Sequence, residues 1–268
     1  MKKNICPICS SISRESFAAT VLQKYEAAFY CCPTCGFLWV QEPHWQEEAY
    51  SSAIASTDTG LVSRNIAIAA KLAAMLYFLM DERGSGRYVD VAGGYGMLTR
   101  LMRDYGFDFY WADKYCQNLM ARGFEYIPEM GKCTAVTAIE VLEHVEDPVG
   151  FVDDALKYGQ ADTLIFTTEL YEGNPPLPDQ WWYYSMETGQ HVSFFQRRTL
   201  DTLAGRLGLH LTTNGWLHIV SRKKFNEQLF KICSGRLSNL TTRWVRKQLA
   251  GKMIRDHKAL VQQLSNKL

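Results

Sequence analysis

The segment RYVDVAGGYGMLTR, residues 87–100, constrains this chain more than any other. A β-rich run ends at Asp90, small residues follow at Ala92, Gly93, Gly94 and Gly96, and helical spacing resumes at Met97. A turn of small residues lets the backbone approach a ligand closely, and the helix it opens offers N–H groups that have no intrahelical partner. The ligand that suits such a turn is of nucleotide type.

The neighbouring sequence extends this unit. Ile66–Met80 has helical spacing, Phe107–Ala112 reads as a strand, and a helix is predicted from there to about Met120. The run Cys133–Val141, a helix from about Pro148 to Tyr158 and the buried strand Asp162–Tyr171 come next. Strands alternating with helices predict an α/β fold with a doubly wound, mostly parallel sheet. A proline-bearing loop, a helix over Arg198–Leu207 and two β-rich runs around Gly215 predict a closing hairpin. Composition divides the chain into a cysteine-rich head (1–43), this body (44–222) and a basic tail (223–268).

Asp113 ends the strand that follows Asp90. Its spacing is close to the interval, roughly 20 residues, at which dinucleotide enzymes place an acid on ribose hydroxyls. The glycine turn resembles the first motif of the class I methyltransferases: Asp90, Gly94 and Gly96 match, while Ala92 stands where a glycine is usual. TAIEVLEHVEDP, Thr137–Pro148, resembles the fourth-strand motif of the same family, and dinucleotide enzymes have no such segment. The resemblance spans about Arg87–Leu209. It implies S-adenosylmethionine as cofactor, held by Asp90, Ala92, Gly93, Gly94, Gly96, Asp113, Ile139 and Glu140. By the same resemblance Glu143 and His144 begin the turn towards the next helix.

In the head, CPIC (Cys6, Cys9) and CPTC (Cys32, Cys35) are two CxxC knuckles separated by the segment from Ser10 to Cys31. Paired knuckles at this separation suit a tetrahedral zinc ion, and a closed shell of four thiolates makes the metal structural. Cys31 or Cys32 could supply the third ligand; only Cys32 is in CxxC register.

Methyl transfer from a sulfonium releases a neutral thioether, so the reaction needs alignment and a base for the acceptor more than it needs an acid. His191, in GQHVSFF, is the candidate base. The zinc head together with this histidine resembles the sugar C-methyltransferases, which carry a Glu-His pair where this chain has Gln190 and His191, and which have a large C-terminal domain lacking here. Tyr171, Trp181, Trp182, Tyr183 and Tyr184 could stack on an acceptor or pack the core. The expected function is methyl transfer from S-adenosylmethionine to a small-molecule, glycan or nucleotide-sugar acceptor. A zinc-ribbon RNA methyltransferase is the alternative. A catalytically silent S-adenosylmethionine- or S-adenosylhomocysteine-binding scaffold, marked by Ala92 and Gln190, is a second.

A formal net charge of +1 excludes a globally basic nucleic-acid binder. Charge is uneven, however: Arg222–Leu268 holds twelve Lys and Arg against two Asp and Glu. Phe225, Leu229, Ile232, Leu237, Leu240, Trp244, Leu249, Met253 and Leu260 recur at helical spacing among those cations. They predict amphipathic helices that pack on the body or dock on RNA or an anionic membrane surface. The apolar run Ile66–Met80 is interrupted by Lys71 and falls short of the roughly 20 residues of a membrane span. Eight cysteines without signal-peptide patterning predict a reducing, cytoplasmic setting. The oligomeric state is not legible.

Overall fold

In the computed structural model, residues 4–50, 57–236 and 238–266 are described. The chain runs β1 (Arg14–Val21), β2 (Tyr25–Cys31), β3 (Leu38–Val40), α1 (Gln46–Ala49), α2 (Leu61–Phe78), β4 (Arg87–Val91), α3 (Met97–Asp104) and β5 (Asp108–Ala112). It continues through β6 (Ala135–Ala138), α4 (Pro148–Tyr158), β7 (Thr163–Thr167), β8 (Ser193–Phe194), α5 (Arg197–Arg206), β9 (His210–Thr213) and β10 (Leu217–Ser221). Three helices close it: α6 (Glu227–Ser234), α7 (Ser238–Gln248) and α8 (Met253–Ser265). The central sheet has the order β5-β4-β6-β7-β10-β9 and is mostly parallel, as the alternation of strands and helices predicts.

Spatially the chain groups into two compact units. One comprises residues 1–57, 138–155 and 164–224, and the other 58–137, 156–163 and 225–268. The cysteine head therefore shares a unit with the second half of the body.

In that first unit a small antiparallel sheet runs β1-β2-β3-β8. Strict alternation turns Phe17, Ala19 and Val21 of β1 and Ala27 and Phe29 of β2 into one apolar cluster with Leu38, Val40, Trp45, Tyr171, Tyr183, Tyr184 and Phe194. Leu22 and Gln23, both at positive φ, turn β1 into β2. The head is also tied to α5 through Thr199, whose hydroxyl donates to Cys35 O at 2.8 Å, and through Arg206, which donates to Pro7 O and Ile8 O at 2.8 and 2.9 Å. The expected hairpin forms by antiparallel pairing of β9 with β10.

In the second unit β4 pairs in parallel with β5 and β6, Asp90 lying opposite Trp111 and Thr137. Helix α2 has 18 residues and is long and apolar enough to cross a membrane by length and composition. Here it is a packing helix, with buried Ile68, Leu72, Met75 and Leu76 among its inward residues. The basic tail covers it: Lys71 donates to Ser234 O at 2.8 Å, the Thr242 hydroxyl donates to Ala70 O, and Trp244 stacks on Phe78 at 5.7 Å. Phe230, Cys233 and Val245 form the buried stripe, whereas Ile232, Leu240, Met253 and Ile254 are exposed. Leu237 lies outside the described residues.

Asp256 of α8 is buried against α3. Arg103 donates to its two oxygens at 2.8 Å each, and Arg100 adds a third bond at 2.9 Å. Burial alone would raise the Asp256 pKa, but the two guanidinium groups hold it below the ordinary carboxylate range.

One expected element does not form. Between β5 and Met120 there is no helix, because side chains take the backbone N–H groups that a helix would use. Asp113 Oδ1 accepts from Tyr115 and Cys116 N–H at 2.7 and 2.8 Å, and Asn118 Oδ1 accepts from Ala121 N–H at 2.9 Å.

Candidate functional site

The glycine turn is built where β4 ends. Asp90 is 2% exposed; its Oδ1 accepts from the Thr137 hydroxyl at 2.6 Å, which fixes the carboxyl across the β4–β6 pairing. Burial pushes the Asp90 pKa up to about 7, against the pull of Thr137, and the nearby Asp113 charge adds to the rise.

Ala92 has φ +53, a left-handed conformation that costs a residue with a Cβ about 1–2 kcal/mol and explains why glycine is usual there. Gly94 has φ +54 with open space where a Cβ would stand, and Gly96 has φ +85 with Asn118 Oδ1 only 2.8 Å from that position. Helix α3 then begins at Gly96 without a side-chain cap, so its first-turn N–H groups face whatever the turn holds.

Asp113 is brought to the same turn. Its Oδ2 accepts from Gly94 N–H at 2.9 Å, and Trp111 Nε1–H donates to Gly94 O at 2.8 Å, so both sides of Gly94 are pinned from the end of β5. A pinned, open glycine beside a carboxylate and an uncapped helix start fits an adenosyl ligand. Asp90, Ala92, Gly93, Gly94, Gly96 and Asp113 are the residues of this unit that could hold it.

Ile139 and Glu140 directly follow β6 and are half-buried. Glu140, at φ +56, donates its N–H to Thr167 Oγ1 at 2.8 Å and receives the Thr167 hydroxyl on its Oε1 at 2.6 Å. This clamp sets the backbone at the end of β7.

The head gathers its four thiols. Cys6 and Cys35 Sγ are 3.5 Å apart, Cys9 and Cys32 Sγ 3.4 Å, and all four lie within 4.8 Å of one another. Four thiolates at about 2.3 Å from a tetrahedral zinc stand about 3.8 Å apart, so the cluster has the size of a zinc shell. The Cys35 hydrogen bond favours the Cys6 thiolate, lowering its pKa. Cys31 instead sits 3.7 Å from the Tyr171 hydroxyl.

His191 sits beside residues that the sequence reading left out of the site. Its Nδ1 is 2.6 Å from Tyr183 O, and its ring lies 4.8 Å from the rings of both Tyr183 and His144. A carbonyl oxygen only accepts, so Nδ1 carries a proton and Nε2 is the ring nitrogen turned away from that carbonyl. His144 Nδ1 makes the same contact with Gln190 O at 3.1 Å, and burial lowers the His144 pKa to about 4.

Glu143, on the one-turn 3₁₀ helix Leu142–His144, completes the group with a side chain that is fully buried. Gln190 is not in the place of the missing acid: its side chain donates to Ala49 O at 2.8 Å. The carboxylate near His191 comes instead from the segment that follows β6, and the only signal for it was the adjacency of Glu143 and His144 in LEH. Tyr171, Tyr183 and Tyr184 are core residues, while Trp182 is 77% exposed.

Residues 64–214 match the family described as "Methyltransferase domain". No curated protein matches the chain. Among solved structures it is similar to TnmH, with 17% identity, a TM-score of 0.47, and coverage of 68% of this chain and 62% of that one. CalO1, a methyltransferase in calicheamicin biosynthesis with SAH bound, is similar at 14% identity and TM-score 0.43, covering 66% of this chain and 61% of that one. The magnesium protoporphyrin IX methyltransferase from Synechocystis PCC 6803 with bound SAM is similar at 15% identity and TM-score 0.38, covering 65% and 89%. The chain thus spans less than two thirds of the length of TnmH and CalO1. With the matched residues taking in the glycine turn, Asp113 and the histidine group, this chain belongs to the methyltransferase-domain family and has its class I fold.

Proposed function

We propose that this protein transfers the methyl group of S-adenosylmethionine to a small-molecule or glycan acceptor. The observation that carries the cofactor is the Gly94 backbone, open above and pinned by Asp113 and Trp111. The transfer breaks the sulfonium S–CH₃ bond and forms a bond from CH₃ to the acceptor, leaving a neutral thioether and a proton to be removed. The protein's task is to align the two partners and to receive that proton. His191 Nε2 is the group we assign to the proton, its tautomer set by Tyr183 O.

Zinc at Cys6, Cys9, Cys32 and Cys35 belongs to the same proposal as a staple of the head.

Isothermal titration with S-adenosylhomocysteine tests the cofactor reading, and a saturable 1:1 isotherm is expected. Failure of the folded protein to bind it would remove the reading. Labelled methyl transfer to panels of hydroxylated small molecules, glycans and RNA then identifies the acceptor class. Methylation undiminished in His191→Ala would eliminate the histidine as base.

A further inference from the structure

We propose that the outward face of α8 docks the protein on the surface of a bilayer that contains anionic lipid. A helix that packs on a globular body turns its apolar residues inward and its charges to solvent. Helix α8 does the reverse. Its one acid, Asp256, is buried under Arg100 and Arg103, and one turn on Leu260 fills the space beside Gly123. Every other residue of the helix is exposed.

Four aliphatic side chains are thereby left in water: Met253, Ile254, Val261 and Leu264, from 47% exposed at Val261 to 65% at Leu264. They are not scattered. Ile254 and Val261 stand about two turns apart, Leu264 follows one turn later, and Met253 adjoins Ile254, so the four share an arc of about 100° in which His257 is the one other residue. A contiguous apolar stripe of this kind marks a surface that something covers.

Charge decides what covers it. From Ser238 to Ser265 the chain carries the cations Arg243, Arg246, Lys247, Lys252, Arg255 and Lys258, and its single acid is the buried Asp256. Every exposed charge on α7 and α8 is therefore positive. A second copy seated on this face would set like charges against each other. RNA would satisfy the cations but leave the stripe in water, because bases stack on aromatic and guanidinium planes rather than on aliphatic side chains. An anionic bilayer satisfies both, its headgroups taking the cations and the boundary with the acyl chains taking the stripe. Lys258 borders the stripe, and its long stem lets the ammonium stay among headgroups while the aliphatic side chains insert. This surface uses neither the glycine turn nor His191, so it stands apart from the methyl-transfer reading.

The test sediments the full chain, purified with zinc, with vesicles of phosphatidylcholine alone and of phosphatidylcholine mixed with phosphatidylglycerol. Saturable binding to the mixed vesicles is expected, weakening as salt is added, with far less binding to phosphatidylcholine alone. Ile254→Ser combined with Val261→Ser should weaken it at least about 10-fold, the loss expected when two inserted aliphatic side chains are removed. Lys258→Ser should weaken it about 5-fold, as one cation fewer near the surface. All three residues are exposed, so the melting temperature should not move, and Leu264→Ser repeats the apolar test at the end of the helix. Absence of saturable binding to the mixed vesicles overturns the proposal. Binding that is unchanged in the double serine variant overturns it as well, since cations alone would then account for the attraction. A chain that stays off the vesicles but dimerises in light scattering, or retains an RNA oligonucleotide, also refutes it and identifies the other partner.

Discussion

Replacing Asp256 with asparagine keeps the shape of the side chain and removes its charge. The wild-type carboxylate is 4% exposed and faces an Arg103 side chain that is 5% exposed. That guanidinium has further partners, Phe109 O at 2.8 Å and the Phe124 ring at 3.7 Å, and they hold it in place when the carboxylate is gone. An uncompensated buried charge of this kind costs about 3–5 kcal/mol. At about 2–4 °C per kcal/mol for a chain of this size, the melting temperature should fall by roughly 6–20 °C. Thermal unfolding followed by circular dichroism at neutral pH measures it.

The folded-state pKa of Asp256 is depressed, so its contribution is complete above the ordinary carboxylate range and is lost only as pH falls through the lower folded value. The deficit of Asp256→Asn should therefore be constant across neutral pH and vanish in acid. The double change Arg103→Met with Asp256→Leu should recover most of the loss, since the apolar pair carries no desolvation penalty. A melting temperature within about 3 °C of wild type for Asp256→Asn would refute the idea that this pair fastens the tail. It follows that truncating residues 225–268 is a folding experiment first, so charge reversal at exposed Arg243, Arg246 and Lys247 is the sounder probe of docking on anions.

Gly94→Ala should cost about 1 kcal/mol of stability from its positive φ, yet weaken S-adenosylhomocysteine binding by more than the fivefold such a loss represents; unchanged calorimetric affinity would move the cofactor away from this turn. Asp90, whose folded pKa is pushed up to about 7, gives full stability below the ordinary carboxyl pKa and loses it as pH rises through 7, on the order of 4 kcal/mol in all. Asp90→Asn should flatten the urea midpoint between pH 5 and 8 in the cofactor-free protein, and retention of the wild-type slope would assign it to another group. Chelation should add four reactive thiols to those titrated in the native protein and lower its melting temperature; a count that does not change speaks against a four-thiolate zinc.

What could be read beforehand was local. The turn at Ala92–Gly96 is a property of consecutive residues, and Asp113 meets it because parallel pairing of β4 with β5 brings the two strand ends together. The helix expected up to Met120 failed for an equally local reason: Asp113 and Asn118 outcompete the backbone for its N–H groups, and propensity over a short window does not register that. The Glu143, His144 and His191 group could not be read, because its meeting depends on a contact between segments far apart in the chain, Val192 N–H to Glu143 O. In the tail the periodicity was legible and its destination was not. The stripe of Phe230, Cys233 and Val245 faces inward, while Ile232 and Leu240 of the same repeat face out.

Strand β8 gives the order of synthesis a structural meaning. As the chain is made, β1, β2 and β3 are complete once Val40 has emerged, but the strand that pairs with the free edge of β3, at Leu38↔Phe194 and Trp39↔Ser193, follows only after β7. At about 5–20 residues per second that edge waits roughly 8–30 seconds beside the ribosome, open to pairing with another chain. All four head thiols are available before the wait begins, so a metal captured at that stage would hold the nascent meander closed until its last strand arrives.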